Sequence, residues 1–360
     1  MVLPRQWRGK ERGRLVRAPS FWQHAVSTFF SRCFACFACF AGNPSVSFEK
    51  MAAHEKILVL RGGAMGDFIL TLPAIAALRQ KFPQASLEIL GYPHVANLAV
   101  VAGMAEQIRS IENPRLAGFF VRDGSLDLEF ANYFSSFSLV VSYLYDPDKV
   151  FQNNFARTSQ AQFISGPHRP DESLKLHAAK VFLQPLEYLG IFDTDSVPRL
   201  ALNSQPTTPM NREQAHNFLA LHPGSGSERK NWPEEKWAEL LRKLIDTTPW
   251  NFLLIGGEAE GDRLPRLSAD LPRERIQLAQ NLPLVELARR MKTCAAFLGH
   301  DSGISHLAAA LDLPGLILWG DTTEEIWRPR SDKMILLRHP SGLKELPAAF
   351  VFGELEKIMA

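Results

Sequence analysis

Short apolar runs and longer amphipathic stretches alternate along the chain from Lys56 onward. The apolar runs predict strands at residues 57–60, 87–90, 139–144, 218–221, 252–255, 296–298 and 316–319. The stretches between them predict helices at about residues 67–81, 94–101, 174–189, 233–245, 284–292 and 303–311, the third kinked at Pro185 and closed by Gly190. Strands that alternate with helices favour parallel sheets covered on both faces.

The length of 360 residues exceeds what one hydrophobic core usually serves, which is roughly 250–300 residues. Residues 203–211 are polar and contain two prolines, as is typical of a linker. We therefore predict an α/β protein with two Rossmann-like domains that face each other across a cleft, at residues 55–203 and 204–342. The sequence leaves open whether a final helical segment, residues 343–360, packs back on the N-terminal domain.

Residues 1–54 form an amino-terminal extension that we interpret as lying outside the folded body. A basic stretch precedes an apolar run at residues 28–42, but Arg32 interrupts that run, and it is shorter than the roughly 20 residues that span a bilayer. Whether the natural chain begins at Met51 stays open. Three cysteines in the run have Phe and Ala as neighbours and no fourth ligand, so we predict no metal site there; they are Cys33, Cys36 and Cys39.

Charge adds a further restriction on function. The net charge is +2, but residues 1–50 hold eight Lys and Arg against two acids, so the remaining chain is mildly acidic. A body that binds nucleic acid would more commonly be basic, and we expect no nucleic-acid partner. Cys294 alone lies in the body, and we expect it to be a core thiol.

The first strand runs into a glycine turn that ends on an acid, Asp67. A dinucleotide site would have glycine where this chain has Arg61, which argues against a nicotinamide or flavin site. Gly63 and its neighbours allow a sharp turn from strand to helix. Asp67 either caps that helix or acts as a general base towards a hydroxyl brought to it.

Two segments in the second half resemble sites for anions. After the strand at residues 218–221, a loop of small residues is followed by Arg229 and Lys230, which suits a phosphate or diphosphate, although a solvated loop is the alternative. Asp301 opens a helix whose free N–H groups suit a second phosphate. A Ser-His-Asp hydrolase is disfavoured because Ser302 is not in a G-x-S-x-G elbow and lies on one helix with His306.

These segments resemble glycosyltransferase family 9, the lipopolysaccharide heptosyltransferase family, from about Lys56 to the end. The resemblance rests on four motifs in the family's order: ILVLRGGAMGDFILTLPAIAALR, HPGSGSERKNWPEEKW, LIGGEAEGDR and GHDSGISHLAAALDLPGLILWG. It implies a GT-B fold. It also implies an inverting transfer from a nucleotide-diphosphate sugar, typically ADP-heptose, to a hydroxyl of a lipopolysaccharide-type or lipid-linked glycan, with no metal or other cofactor.

The resemblance also implies roles at matched positions. Asp67 matches the catalytic base and Lys230 the lysine that contacts the diphosphate. The other donor-binding matches are Ser225, Gly226, Ser227, Glu258, Asp301, Ser302, Gly303, Ile304 and His306. Arg61 and Gly63 are candidates on the acceptor side.

Two alternatives remain open from the sequence: a GT-B sugar-nucleotide epimerase, and a non-catalytic protein that binds a sugar nucleotide. We expect a cytoplasmic protein, with peripheral association at the inner membrane surface left open. The sugar, the nucleotide, the acceptor and the oligomeric state are not determined by the sequence.

Overall fold

A computed structural model of the protein describes residues 55–202 and 217–359. Our expectations for the extension at residues 1–54 and the linker at residues 203–211 concern residues outside these ranges. Among the described residues, no helix combines the length and apolar character needed to cross a membrane.

The first sheet has five parallel strands in the order β3-β2-β1-β4-β5. Their bounds are β1 Lys56–Arg61, β2 Ser86–Gly91, β3 Gln107–Ser110, β4 Leu139–Ser142 and β5 Gln162–Ser165. The central strand β1 pairs with β2 and β4, and its residues 57–61 are all buried. A strand that is apolar on both faces is what a parallel sheet covered by helices requires.

The helices of this first domain are α1 Met65–Lys81, α2 Pro93–Val101, α3 Leu128–Ser135, α4 Val150–Ala156 and α5 Ala178–Leu183. The helix predicted at residues 174–189 is divided. A 3₁₀ turn covers Glu172–Leu174, α5 follows, and a second 3₁₀ turn containing Pro185 ends at Gly190, which has a φ of 66°. Proline at that position prevents α5 from continuing, as the sequence predicts.

The second sheet has six parallel strands in the order β11-β10-β9-β6-β7-β8. Their bounds are β6 Phe218–Leu221, β7 Asn251–Gly256, β8 Ile276–Gln280, β9 Ala296–His300, β10 Gly315–Leu318 and β11 Met334–Leu337. The helices are α6 Glu234–Thr247, α7 Arg263–Ser268, α8 Leu284–Lys292, α9 Gly303–Ala310, α10 Glu324–Trp327 and α11 Ala348–Met359. Four strands were not predicted, and each forms a sheet edge: β3, β5, β8 and β11.

Apolar side chains fill three layers. One buried cluster extends from the inner face of the first sheet, through α1 and α9, to the inner face of the second sheet, so the two domains pack through it. A phenylalanine-rich cluster covers the outer face of the first sheet. On the outer face of the second sheet, α11 packs against α6 and β10, which places the final helix on the C-terminal domain.

Each sheet reverses its strand order at one point, between β1 and β4 in the first domain and between β6 and β9 in the second. Loops that leave the carboxyl ends of strands at such a reversal diverge and open a crevice, where open α/β sheets bind ligands. Asp67 follows β1, Lys230 follows β6 and Asp301 follows β9. The topology therefore brings all three to reversal points.

Candidate functional site

A cavity of about 1000 Å³ lies between the two domains, at the carboxyl ends of their strands. Both domains contribute to its wall, the first through the corner between β1 and α1 and the second through the loops after β6, β7 and β9. Six of the residues predicted from the sequence line it: Gly63, Ser225, Gly226, Ser302, Gly303 and Ile304. We call this cavity the cleft.

Asp67 is the third residue of α1, at the corner that lines the cleft. Its Oδ2 accepts a hydrogen bond from the Ala64 N–H at 3.2 Å, so the carboxylate caps the helix. The side chain is nevertheless 28% exposed. Gly63 has a φ of 92°, and a Cβ there would lie 3.0 Å from Asp67 Oδ2, so glycine keeps this carboxylate accessible. Capping and proton transfer are therefore compatible at this position.

Arg61 lies beneath Asp67 and is only 2% exposed. Its guanidinium donates to the backbone carbonyls of Asp67 at 3.1 Å and His168 at 3.0 Å, and it packs 4.5 Å from the ring centroid of Phe182. Burial lowers its pKa from the usual value. Because this side chain is enclosed by protein, it does not present a charge to a ligand in the cleft; it fixes the start of α1, and with it Asp67.

The loop after β6 is closed by its own side chains. The Ser225 hydroxyl lies 2.9 Å from the Ser227 carbonyl and 2.7 Å from Asn231 Oδ1. Gly226 between them has a φ of 71°, which glycine adopts readily. These contacts give the loop a defined shape, although residues 226–229 are exposed.

Lys230, at the end of this loop, donates from Nζ to Asp301 Oδ2 at 2.6 Å. Lys230 is 33% exposed, whereas Asp301 is 9% exposed. The ion pair joins the loops after β6 and β9, so two residues that the sequence places 71 positions apart form one charged group beside the cleft.

The N-termini of α1 and α9 meet at the cleft. A Cβ on Gly303 would lie 2.6 Å from Met65 Cε and 3.1 Å from the Gly66 nitrogen, so only glycine allows this approach without movement. Free backbone N–H groups from both domains are thus directed at one region, which is favourable for an anion.

His306 packs against this contact and is 6% exposed. A Cβ on Gly66 would be 3.5 Å from His306 Cδ2. Burial lowers the pKa of His306 to about 4, against the opposing effect of Asp301. The imidazole is therefore neutral at physiological pH, and within the described ranges its ring has no hydrogen-bond partner.

Two further histidines organise the site, and the sequence did not indicate either. His300 accepts from the Trp232 N–H at 2.9 Å through Nε2, and its Nδ1 lies 3.1 Å from the Gly224 carbonyl, so it holds both ends of the Ser225 loop. His222 Nδ1 lies 3.3 Å from Ser302 Oγ. Burial lowers the pKa of each to about 3, so both are neutral hydrogen-bonding groups.

The loop after β7 holds two acids that differ in environment. Glu258, predicted to bind the nucleoside, is exposed and does not line the cleft. Glu260 does line it; its Oε2 accepts from the Gly257 N–H at 2.6 Å, and its Oε1 lies 3.8 Å from His222 Nε2. Both acids belong to one 3₁₀ turn, so the sequence does not indicate which of them faces the cleft.

The described residues include one cysteine, Cys294. Cys294 is buried, and burial raises the pKa of its thiol to about 12, which confirms a core thiol. Across residues 55–202 and 217–359, no group of three or more His, Cys, Asp or Glu side chains is arranged to hold a metal ion.

The pattern of these motifs matches a known family. The sequence model of glycosyltransferase family 9 (heptosyltransferase) matches residues 132–348, more than half of the chain. The chain belongs to glycosyltransferase family 9. This family 9 glycosyltransferase is 24% identical over 341 residues to lipopolysaccharide heptosyltransferase 3 of Escherichia coli, an alignment that covers 82% of this chain and 96% of that protein.

Solved structures agree on the fold of this glycosyltransferase. The E. coli ADP-heptose lps heptosyltransferase II superposes with a TM-score of 0.69 at 17% identity, covering 84% of this chain and 98% of the other. The E. coli heptosyltransferase WaaC with ADP gives 0.66 at 19% identity, covering 84% and 99%. The predicted GT-B fold, with two parallel-sheet α/β domains, is confirmed.

Proposed function

We propose that this enzyme transfers heptose from ADP-heptose to a hydroxyl of a lipopolysaccharide-type glycan, with inversion at the anomeric carbon. Its relatives support the donor and the acceptor class, since they include a lipopolysaccharide heptosyltransferase and an ADP-heptose lps heptosyltransferase. An acceptor of that kind is anchored in a membrane, so we further propose that the enzyme works in the cytoplasm at the inner membrane surface.

One observation carries the proposal: the N-termini of α1 and α9 approach each other directly beside Lys230. Backbone N–H groups and a lysine ammonium directed at one region suit a diphosphate, which carries charge before the reaction and more of it as the sugar departs. The neutral ring of His306 adds a hydrogen-bonding group without a competing positive charge. We therefore assign the diphosphate to this region.

The proposed step forms one bond and breaks another. The acceptor oxygen attacks the anomeric carbon while Asp67 takes its proton, and the bond from that carbon to the diphosphate oxygen breaks on the opposite face. The electron pair of the broken bond remains on ADP, where Lys230 and the N–H groups of α9 stabilise it. Arg61 supports the step by holding the start of α1. Because these groups supply the positive charge, the proposal invokes no metal ion.

The loop after β7 is proposed to contact the nucleoside. Glu258 is the match to the family motif, and Glu260 is the acid of this turn that lines the cleft. A carboxylate accepts hydrogen bonds from the hydroxyls of a ribose. We therefore assign the ribose contact to this turn as a whole, together with Ser302 and Ile304 on the facing wall.

The test replaces Asp67 by asparagine, which retains an oxygen that can cap α1 but cannot take a proton. We expect Asp67→Asn to lose transfer by at least about 10²-fold while ADP affinity stays within a few fold. Asp127→Asn is the matched control, since Asp127 also caps a helix, accepting from the Phe130 N–H at 3.1 Å, but lies at α3. That variant should retain full transfer.

Assays with ADP-heptose alone and with ADP-heptose plus a lipopolysaccharide core acceptor separate the alternatives. Consumption of the donor to give an isomer without acceptor would identify an epimerase. Donor binding without turnover on the acceptor would identify a binding protein. Undiminished transfer by Asp67→Asn would remove Asp67 from the role of base while leaving the family assignment intact.

A further inference from the structure

A second cavity, of about 960 Å³, lies at the other end of α9 from the cleft. Its wall is formed by the start of α5 with the residues before it, by residues 197–201, and by the segment that follows β10. Since α9 has eight residues, the ends of this helix are about 12 Å apart. We call this second cavity the hinge cavity, because both domains and the connection between them contribute to it.

The hinge cavity is lined by seven lysine and arginine side chains and only three acidic ones. Four of the seven cations are engaged: Arg199 with Asp195, Arg328 with Glu324, Lys333 with Asp312, and Lys292 with the Leu202 carbonyl. The other three, Lys175, Lys180 and Arg330, form no ion pair within the described part of the chain. The cavity therefore has a surplus of positive charge.

Arg330 gives a more specific indication. Its Nη1 is buried and has no hydrogen-bond partner within residues 55–202 and 217–359. A buried cationic nitrogen without an acceptor is costly, because it has lost water and has no hydrogen bond in its place; Asp195 offers it a Coulombic attraction only. The Arg330 side chain also lines the hinge cavity, so an anionic group there would lie beside this guanidinium.

His177 lies among several positive side chains of the hinge cavity. Its Nδ1 accepts from the Ala179 N–H at 3.2 Å, so Nε2 carries the proton and donates to the Arg328 carbonyl at 2.8 Å. Burial, with smaller contributions from the charges of Arg330, Arg328 and Lys180, lowers its pKa to about 4, against the opposing effect of the hydrogen bond to the Arg328 carbonyl. Three positive side chains from two domains therefore converge on this wall, while the histidine itself stays neutral.

We infer that the hinge cavity binds a phosphorylated small molecule. Its volume is at the upper end of the range of small-molecule sites. Arginine and lysine are the residues that bind phosphate, arginine through its planar fork and lysine as a point charge. Aliphatic side chains on the wall, including Leu176, Val197 and Leu200, suit the carbon skeleton.

A bound anion would contact both domains at once, through Lys180 on α5 and Arg330 after α10. A ligand stabilises the arrangement in which it makes those contacts. The occupant therefore favours the domain arrangement of this structure. The inference does not depend on the donor or acceptor proposed for the cleft.

The experiment is calorimetric titration of the full chain with tripolyphosphate at constant ionic strength. We expect the double variant Lys180→Ala with Arg330→Gln to lose at least about tenfold in affinity at one site. Lys230→Met should keep that site, because Lys230 belongs to the cleft. Lys81→Ala with Arg273→Gln is the matched control, since it removes the same net charge from exposed positions outside the hinge cavity.

Equal weakening by the two double variants would overturn the inference, since it would mean diffuse attraction. Loss of all binding in Lys230→Met alone would overturn it as well, because the anion would then occupy the cleft. If the double variant does not fold, Lys180→Glu serves instead, since Lys180 is exposed. The protein could also sediment with phosphatidic acid vesicles in a way that depends on Lys180, while it does not bind tripolyphosphate. That result would overturn the inference of a small molecule and identify a lipid headgroup as the ligand.

Discussion

At the scale of single residues, the ion pair between Lys230 and Asp301 decides how the cleft responds to a donor. The two charges lie 2.6 Å apart, and Asp301 is 9% exposed, so each compensates the other before a ligand arrives. A diphosphate that binds Lys230 competes with Asp301 for the same ammonium. The lysine therefore contributes most when the leaving group carries its full charge, which favours the transition state over the bound donor.

We expect Lys230→Met to lower kcat by about 10²–10³-fold, the usual cost of removing one group that stabilises a developing negative charge. The adjacent cation Arg229 is exposed and makes no ion pair among the described residues, so Arg229→Met should change kcat by less than about twofold. Steady-state transfer assays with both variants make the comparison. Similar losses in the two would indicate general attraction of the donor to a positive surface.

The sequence indicated some of these residues and not others for a physical reason. Asp67 and Asp301 follow apolar strands directly, so their positions at strand ends are visible in the pattern. His222 and His300 lie within or beside buried strands, where a histidine is equally consistent with an ordinary core position. Their roles depend on partners distant in sequence, such as Ser302 and Trp232, which a single sequence does not specify.

At the scale of elements, the approach of two helix N-termini is the feature on which the cleft depends. Helix α1 begins at Met65 and α9 at Gly303, and glycine allows them to meet without a side chain between them. Both helices start directly after strands at the reversal points of their sheets. Separation of the two N-termini would therefore disturb N–H groups from both domains.

We expect Gly303→Ala to weaken ADP binding and transfer by about tenfold or more, because the new Cβ would lie 2.6 Å from Met65 Cε and 3.1 Å from the Gly66 nitrogen. Methionine can move aside, but the backbone of Gly66 cannot do so without shifting α1. Calorimetric titration with ADP and a transfer assay measure the two effects.

Gly353→Ala is the matched control, since Gly353 lies on α11 and a Cβ there meets nothing within 4 Å. That variant should raise the free energy of unfolding by up to about 1 kcal/mol and leave ADP binding unchanged. Equal ADP affinity in the two variants would show that the α1–α9 contact does not shape the donor site.

The unpredicted strands show where a hydrophobic pattern loses its information. β3, β5, β8 and β11 are the four sheet edges, and each has at least one exposed residue. The three strands at the centre of the first sheet, by contrast, are almost entirely buried and were all predicted. An edge strand gains its hydrogen bonds from one neighbour only and needs fewer apolar side chains, so its sequence resembles that of a loop.

At the scale of the whole molecule, four buried histidines make the structure sensitive to acid. His222, His300 and His306 lie in the second domain at the cleft, and His177 of the first domain donates to the Arg328 carbonyl of the second. Burial lowers the pKa of His222 and His300 to about 3, and of His177 and His306 to about 4. His177 and His300 each accept a backbone N–H on one ring nitrogen, which only the neutral ring can do.

The direction of the pH effect follows from these pKa values. Above about pH 6.5 the histidines are neutral in both states, so their stabilising contribution is fully present. As the pH falls from about 6.5 towards 4, the unfolded chain binds protons that the folded protein does not, and the free energy of unfolding decreases. A histidine that is protonated in the unfolded chain and neutral in the folded protein contributes a slope of about 1.4 kcal/mol per pH unit.

We expect urea unfolding between about pH 7 and about pH 4.5 to show this loss, and His177→Gln to reduce the slope by about one proton. Carboxylates also titrate towards the acid end, but they are common to both proteins, so the difference in slope isolates the histidine. His94→Gln is the control for the loss of an imidazole, since His94 is exposed. Identical slopes for the unmodified protein and His177→Gln would mean that His177 takes up its proton equally in the folded and unfolded states, so that the hydrogen bond from the Ala179 N–H to Nδ1 does not keep the ring neutral.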